Sequence, residues 1–180
     1  TFAIGGWSVQ GEDFDGTVVP AHYFGVRRYP YSTDRTKNPL TFKHIGLNVP
    51  LPDPMIAPRQ PIDPNNAEVH NAGEVWAQIL WDAQVRLLNA PGATFDGARV
   101  AMGGYLVAGL VATPILPTFI EARDALLAVV FAASPTADFP LVLDAFARRG
   151  LGVLAQSSDR RSTTNTPLAG EPLPEYFMST

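Results

Sequence analysis

The sequence predicts a mainly α protein: an irregular, loop-rich N-terminal third followed by a bundle of about four helices. Two observations carry this. Residues 1–70 contain more than half of the seventeen prolines, most of the tyrosines and all three histidines, without a sustained apolar period; each proline fixes φ and removes an amide donor, which leaves loops and short extended pieces. After His70 the pattern changes to apolar residues three and four apart, the spacing of a helix with one buried face.

The first helix is expected over 73–89, where Val75, Trp76, Ile79, Leu80, Ala83, Leu87 and Leu88 share a face and Pro91-Gly92 ends it. The second, 94–112, opens at Thr94 as N-cap and carries Ala98, Val100, Ala101, Tyr105, Leu106, Ala108 and Leu110. Gly103-Gly104 weaken its middle by about 1 kcal/mol each relative to alanine. The third, 118–133, begins with Thr118-Phe-Ile-Glu121, a capping box in which threonine and glutamate reciprocally satisfy free amides. The fourth, 138–149, has Pro140 in its first turn, an apolar face of Leu141, Leu143, Phe146 and Ala147, Arg148 and Arg149 near the negative C-terminal dipole, and Gly150 as its stop. Residues 156–180 are polar and aperiodic and read as a tail or linker, so the folded unit spans 1–155.

The formal charge of −4 with scattered lysines and arginines excludes the concentrated basic face that nucleic acid or an anionic membrane would need. The longest apolar stretch, 107–118, is broken by Gly109, Pro114 and Pro117 and cannot cross a bilayer. The absence of cysteine removes disulfides, thiolate metal sites and a cysteine nucleophile. Thr1 lacks an initiator methionine and reads as a cut end or a boundary.

Two stretches could carry chemistry. Asn65-Asn-Ala-Glu-Val-His70-Asn-Ala-Gly-Glu74 is a polar turn that delivers a histidine to a helix start. An imidazole, titrating ordinarily near pH ~6.5, can donate a hydrogen bond or a proton to an oxyanion there. A cap or packing role is the plainer alternative. His70 and Glu74 lie four apart and could share a helical face as two metal ligands, but the chain has no HExxH and no second nearby histidine. Glu68 and Glu74 could be paired carboxylates, though spacing does not fix their separation. In the second stretch Arg27 and Arg28 could grip a carbonyl or carboxylate, against the alternative of a surface ion pair. Glu12, Asp13, Asp15 and Asp63 lie in acidic loops that could meet calcium and are more often simply solvated. There is no phosphate-binding loop around Gly103-Gly104 and no Gly-x-Ser-x-Gly elbow.

Four ordered stretches carry a resemblance: Tyr23-Phe-Gly-Val-Arg-Arg-Tyr-Pro-Tyr-Ser-Thr-Asp34 with Pro39-Leu-Thr-Phe42, Asn66-Ala-Glu-Val-His70-Asn-Ala-Gly-Glu74-Val-Trp-Ala77, Phe119-Ile-Glu-Ala-Arg-Asp-Ala-Leu-Leu127, and Ala145-Phe-Ala-Arg-Arg-Gly-Leu-Gly152. Together they resemble the C-terminal part of the catalytic domain of the fungalysin family, secreted zinc metallopeptidases with a thermolysin-like fold. The resemblance implies an extracellular peptide-bond hydrolase whose zinc is bound by an HExxH-bearing half that precedes the matched region. That half would be the chain's partner, and peptides or proteins the substrate. It implies that His70 hydrogen-bonds the tetrahedral oxyanion and that Arg27 grips a substrate carbonyl, with Arg28 the other candidate. Asn65 stands where such enzymes often carry an aspartate that orients the histidine, and Glu68 is the alternative orienting group. The chain alone would be inactive and would expose an apolar wall to its partner. The competing reading is a non-catalytic binding or structural module that kept the helical lobe.

Overall fold

The computed structural model describes residues 2–4, 25–52 and 65–165. The acidic residues Glu12, Asp13, Asp15 and Asp63, and residues 166–180 of the expected tail, lie outside the described residues. Among the described residues four α-helices follow an irregular N-terminal third: α1 (Val69–Leu88), α2 (Phe95–Ala112), α3 (Phe119–Ala133) and α4 (Asp138–Arg148). A 3-10 turn, Phe42–Ile45, precedes them, and Phe2 pairs with Tyr31 in an isolated antiparallel bridge.

Helix α1 starts at Val69, earlier than the residue 73 expected from periodicity, and the cause is a cap. Glu68 accepts from the amides of His70 (2.8 Å) and Asn71 (3.2 Å), satisfying two of the donors that a helix start leaves open. In the first turn Val69 is exposed and only Ala72 joins the core, too little for an apolar period to reveal it. The other starts agree with the sequence. The Thr94 hydroxyl accepts from the Gly97 amide, while Thr118 and Glu121 form the reciprocal box.

Helix α1 packs chiefly on α4, and α2 on α3. Val75, Ile79, Ala83 and Leu87 meet Val142, Ala145 and Phe146, with Leu126, Leu127 and Val130 of α3 completing the core. Trp76 sits edge-on to both Phe119 and Phe146, with ring centroids 5.9 and 5.6 Å away. Such pairs add about 0.5–1.5 kcal/mol to the area they bury. Helix α2 is apolar on two sides. Ala98, Met102, Tyr105 and Gly109 face inward, while Val100, Val107 and Val111 lie on the opposite face and stay exposed. At Gly109 a Cβ would stand 3.0–3.3 Å from Leu126, so the missing side chain is what lets α2 and α3 approach.

The loops are fastened to α1 by a ladder of buried polar side chains. Glu74, Gln78 and Asp82 recur every four residues and therefore share one helical face. Glu74 accepts from the Tyr29 amide; Gln78 both accepts from the Ser32 amide (3.1 Å) and donates to the Ser32 carbonyl (2.8 Å). Asp82 receives the Arg149 guanidinium, which also donates to the carbonyls of Ser32, Asn38 and Leu40. Arg149 stands at the C-terminal end of the fourth helix, as the sequence places it, but its side chain is spent on these interior partners. Gly150, at φ 80°, turns the chain in a Schellman arrangement, with Gly150 N–H donating to Ala147 and Leu151 N–H to Phe146. That turn leaves Arg149 as the helix cap with its side chain directed into the interior. Beyond residue 155 the polar segment runs back along the 3-10 turn, where the Leu47 amide donates to Thr164 and Asn165 donates to the Ile45 carbonyl.

Replacing Arg149 by leucine leaves a buried carboxylate unpaired and should cost about 3–5 kcal/mol in denaturant unfolding. Gly109→Ala should lower stability by about 1–2 kcal/mol through overpacking. Gly103→Ala, where the added Cβ meets open space, should raise it by about 0.5–1 kcal/mol. Burial, then the hydrogen bond to Asp138, pushes the Tyr105 phenol up from 10.0 to about 12. The folded protein holds that proton after the unfolded chain has released it, so stability should fall as pH rises from about 10 to about 12. Tyr105→Phe should lack this component in alkaline melts.

Candidate functional site

The start of α1 holds His70, its imidazole 77% exposed and its Nδ1 2.7 Å from the Glu68 carboxylate. Glu68 thus serves twice: one oxygen caps the helix and the other holds the ring. The hydrogen bond from His70, followed by the backbone amides, holds its carboxyl below the usual carboxylate range. An ionised carboxylate only accepts, so Nδ1 carries the proton; Nε2 is then an acceptor in the neutral ring and becomes a donor only when it too is protonated.

Asn65 shapes the turn before the helix. Its Oδ1 accepts from the Ala67 amide and its carbonyl accepts from the Asn71 side chain and the Glu68 amide. Of the two orienting groups considered from sequence, Glu68 is the one bonded to the ring.

Arg27 and Arg28, adjacent in sequence, part company in space. Arg28 is buried, with Nε on Glu74 (2.8 Å), Nη1 on the Asn66 side chain (2.8 Å) and Nη2 on the Asn71 carbonyl (2.8 Å). Arg27 is half-buried, with Nη1 3.4 Å from the His70 carbonyl. Its Nε is buried and has no hydrogen-bond partner among the described residues. Its guanidinium also lies beside the Tyr31 phenol, lowering a pKa that burial raises. Sequence spacing missed this division: Arg28 is consumed by the fold, whereas Arg27 is only half-buried and brings its Nη1 to the His70 carbonyl.

Glu74 does not join His70 in a metal pair. It turns inward to Arg28 while His70 faces out, and burial lifts its carboxyl above the ordinary range against the pull of Arg28. Glu68 and Glu74 are likewise occupied, one by the cap and ring and the other by Arg28, and do not form an open carboxylate pair. Among the described residues no three His, Cys, Asp or Glu side chains converge where they could hold a metal ion, and the sequence has no HExxH. The described residues therefore do not fit a zinc ion by themselves. No helix among the described residues is long and apolar enough to cross a membrane. A cleft of about 470 Å³ lies at the far end of α1, lined by Leu87, Pro91, Gly97, Ala101 and Leu141; its one charged group, Asp138, accepts from Tyr105.

Known proteins share this arrangement of sequence. The description of the fungalysin metallopeptidases (M36) matches residues 2–155. The chain is 33% identical over 140 residues to the extracellular metalloproteinase mep of Aspergillus terreus, covering 71% of this chain and 19% of that protein. It is 32% identical over 155 residues to the extracellular metalloproteinase MEP of Neosartorya fischeri, covering 79% and 21%. Against the extracellular metalloproteinase 3 of Trichophyton tonsurans it is 30% identical over 156 residues, covering 80% and 22%. The chain thus spans about a fifth of the length of the curated relatives it matches. With the match running from the Phe2–Tyr31 bridge to the end of the packed lobe, this chain belongs to the fungalysin metallopeptidase family.

Proposed function

We propose that this chain is the C-terminal helical lobe of the catalytic domain of a secreted zinc endopeptidase, one wall of a cleft whose other wall is the HExxH-bearing half. The observation that carries the reading is the exposed His70 imidazole held by Glu68, with the half-buried Arg27 guanidinium beside it, its Nη1 3.4 Å from the His70 carbonyl. The zinc that the family uses, and the water it activates, belong to the other half of the domain.

The residues of this lobe do two things. His70, as the imidazolium whose Nδ1–H is held by Glu68, donates its Nε2–H to the oxyanion that forms when a peptide carbonyl is attacked. A preorganised donor of this kind stabilises the transition state more than the ground state. Arg27 presents its guanidinium to a carbonyl of the substrate backbone and fixes its register. Glu68 holds the ring, and Asn65 builds the turn that places Glu68. The exposed apolar face of α2 and the one-fifth span of the relatives both support a larger assembly around this lobe. Secretion is supported by the names of the relatives, which are extracellular metalloproteinases.

In the complete zinc-loaded peptidase, His70→Ala should lower kcat by about 10²–10³-fold with little change in KM, because the lost bond forms in the transition state. Unchanged turnover would remove His70 from the mechanism. The lobe alone should show no peptidase activity.

A further inference from the structure

We infer that Glu74, acting through Arg28, is a positioning residue that sets the place of Arg27 relative to His70. The inference rests on the reading of Arg27 and His70 as the substrate-facing groups, and it assigns a task to a buried ion pair that touches no substrate.

The geometry is specific. Arg28 reaches three acceptors on the segment that carries His70: the Asn66 side chain before it, the Asn71 carbonyl next to it and the Glu74 carboxylate one turn beyond it. The second Glu74 oxygen takes the Tyr29 amide, so both residues at the root of the Arg27 loop are tied to α1. Arg27 is the next residue out, and its Nη1 reaches the His70 carbonyl. Two groups from chain segments 43 residues apart are thereby held side by side. The other rungs of the ladder, at Gln78 and Asp82, fasten the loop farther along, at Ser32 and beyond. They support the fold but do not bracket Arg27. A shift of about 1 Å between two substrate-binding groups is enough to cost on the order of 10²-fold in rate.

The test is a mutant cycle in the complete zinc-loaded peptidase, reading kcat and KM on a peptide substrate and thermal unfolding for every variant. Glu74→Gln keeps the shape but turns an amide donor toward Arg28; Arg28→Lys keeps the charge but cannot span three acceptors. Each should lower kcat/KM on the order of 10- to 100-fold in the wild-type background. In the Arg27→Ala background the same changes should add less than about threefold, because the group they position is gone. Gln78→Met, which removes the next rung, should lower the unfolding temperature while leaving kcat/KM within about threefold. Additive losses of Glu74→Gln and Arg27→Ala would overturn the inference, as would a Gln78→Met loss equal to that of Glu74→Gln. If Glu74→Gln does not fold, Arg28→Lys decides the same comparison. If Arg27→Ala leaves kcat/KM intact, the assignment of Arg27 to substrate fails first, and the positioning role falls with it.

Discussion

The guanidinium of Arg149 has five N–H donors, and all five are taken inside the protein: two by the Asp82 carboxylate and three by the carbonyls of Ser32, Asn38 and Leu40. An irregular loop buried against a helix carries amides and carbonyls with no ladder to join. Arg149 satisfies three such carbonyls with one planar group, and Asp82 supplies the charge that makes its burial tolerable. An Arg–Asp pair of this kind adds little net energy over an apolar pair of the same shape, but losing one member is severe. Its value here is in shape: it fixes where the loop lies.

The same logic runs up the helix. Gln78 meets Ser32 with a donor and an acceptor at once, as a neighbouring strand would, and Glu74 meets Tyr29 and Arg28. Helix α1 thus substitutes for a sheet edge along residues 28–32. Its other face is mainly apolar, with Arg86 paired to Asp144 near its end, and rests on α4, so the helix is buried on two adjoining sides of different chemistry. At its N-terminus both sides end, and that is where His70 emerges into solvent.

Much of the scaffold was legible before any coordinates. Periodicity located all four helices because each has an apolar face, and the Thr118–Glu121 box, the Thr94 cap and the Gly150 stop are local chemistry that needs no tertiary context. What could not be read is the polar ladder. Glu, Gln and Asp four residues apart look like the solvent face of an amphipathic helix, and only a loop 46 residues away makes them interior. The start of α1 was hidden for a related reason, since a carboxylate cap leaves no apolar mark. His70 and both arginines stood out in the sequence. The hydrogen bond from the His70 ring to Glu68 and the separation of Arg27 from Arg28 depend on backbone direction in irregular segments, which residue spacing does not encode.

The placement of Arg149 also orders events in time. Its partners Ser32, Asn38 and Leu40 were made 109 to 117 residues earlier. On a growing chain the segment that leads from Arg27 to Leu40 can collapse onto α1 through Glu74 and Gln78, but its far end has no final anchor until the fourth helix and the Gly150 turn have been synthesised. Contacts of such long range form slowly, because a large loop must close before they contribute anything. The last helix, which contributes no group to the site, is thus the piece that completes the anchoring of the loop beside it.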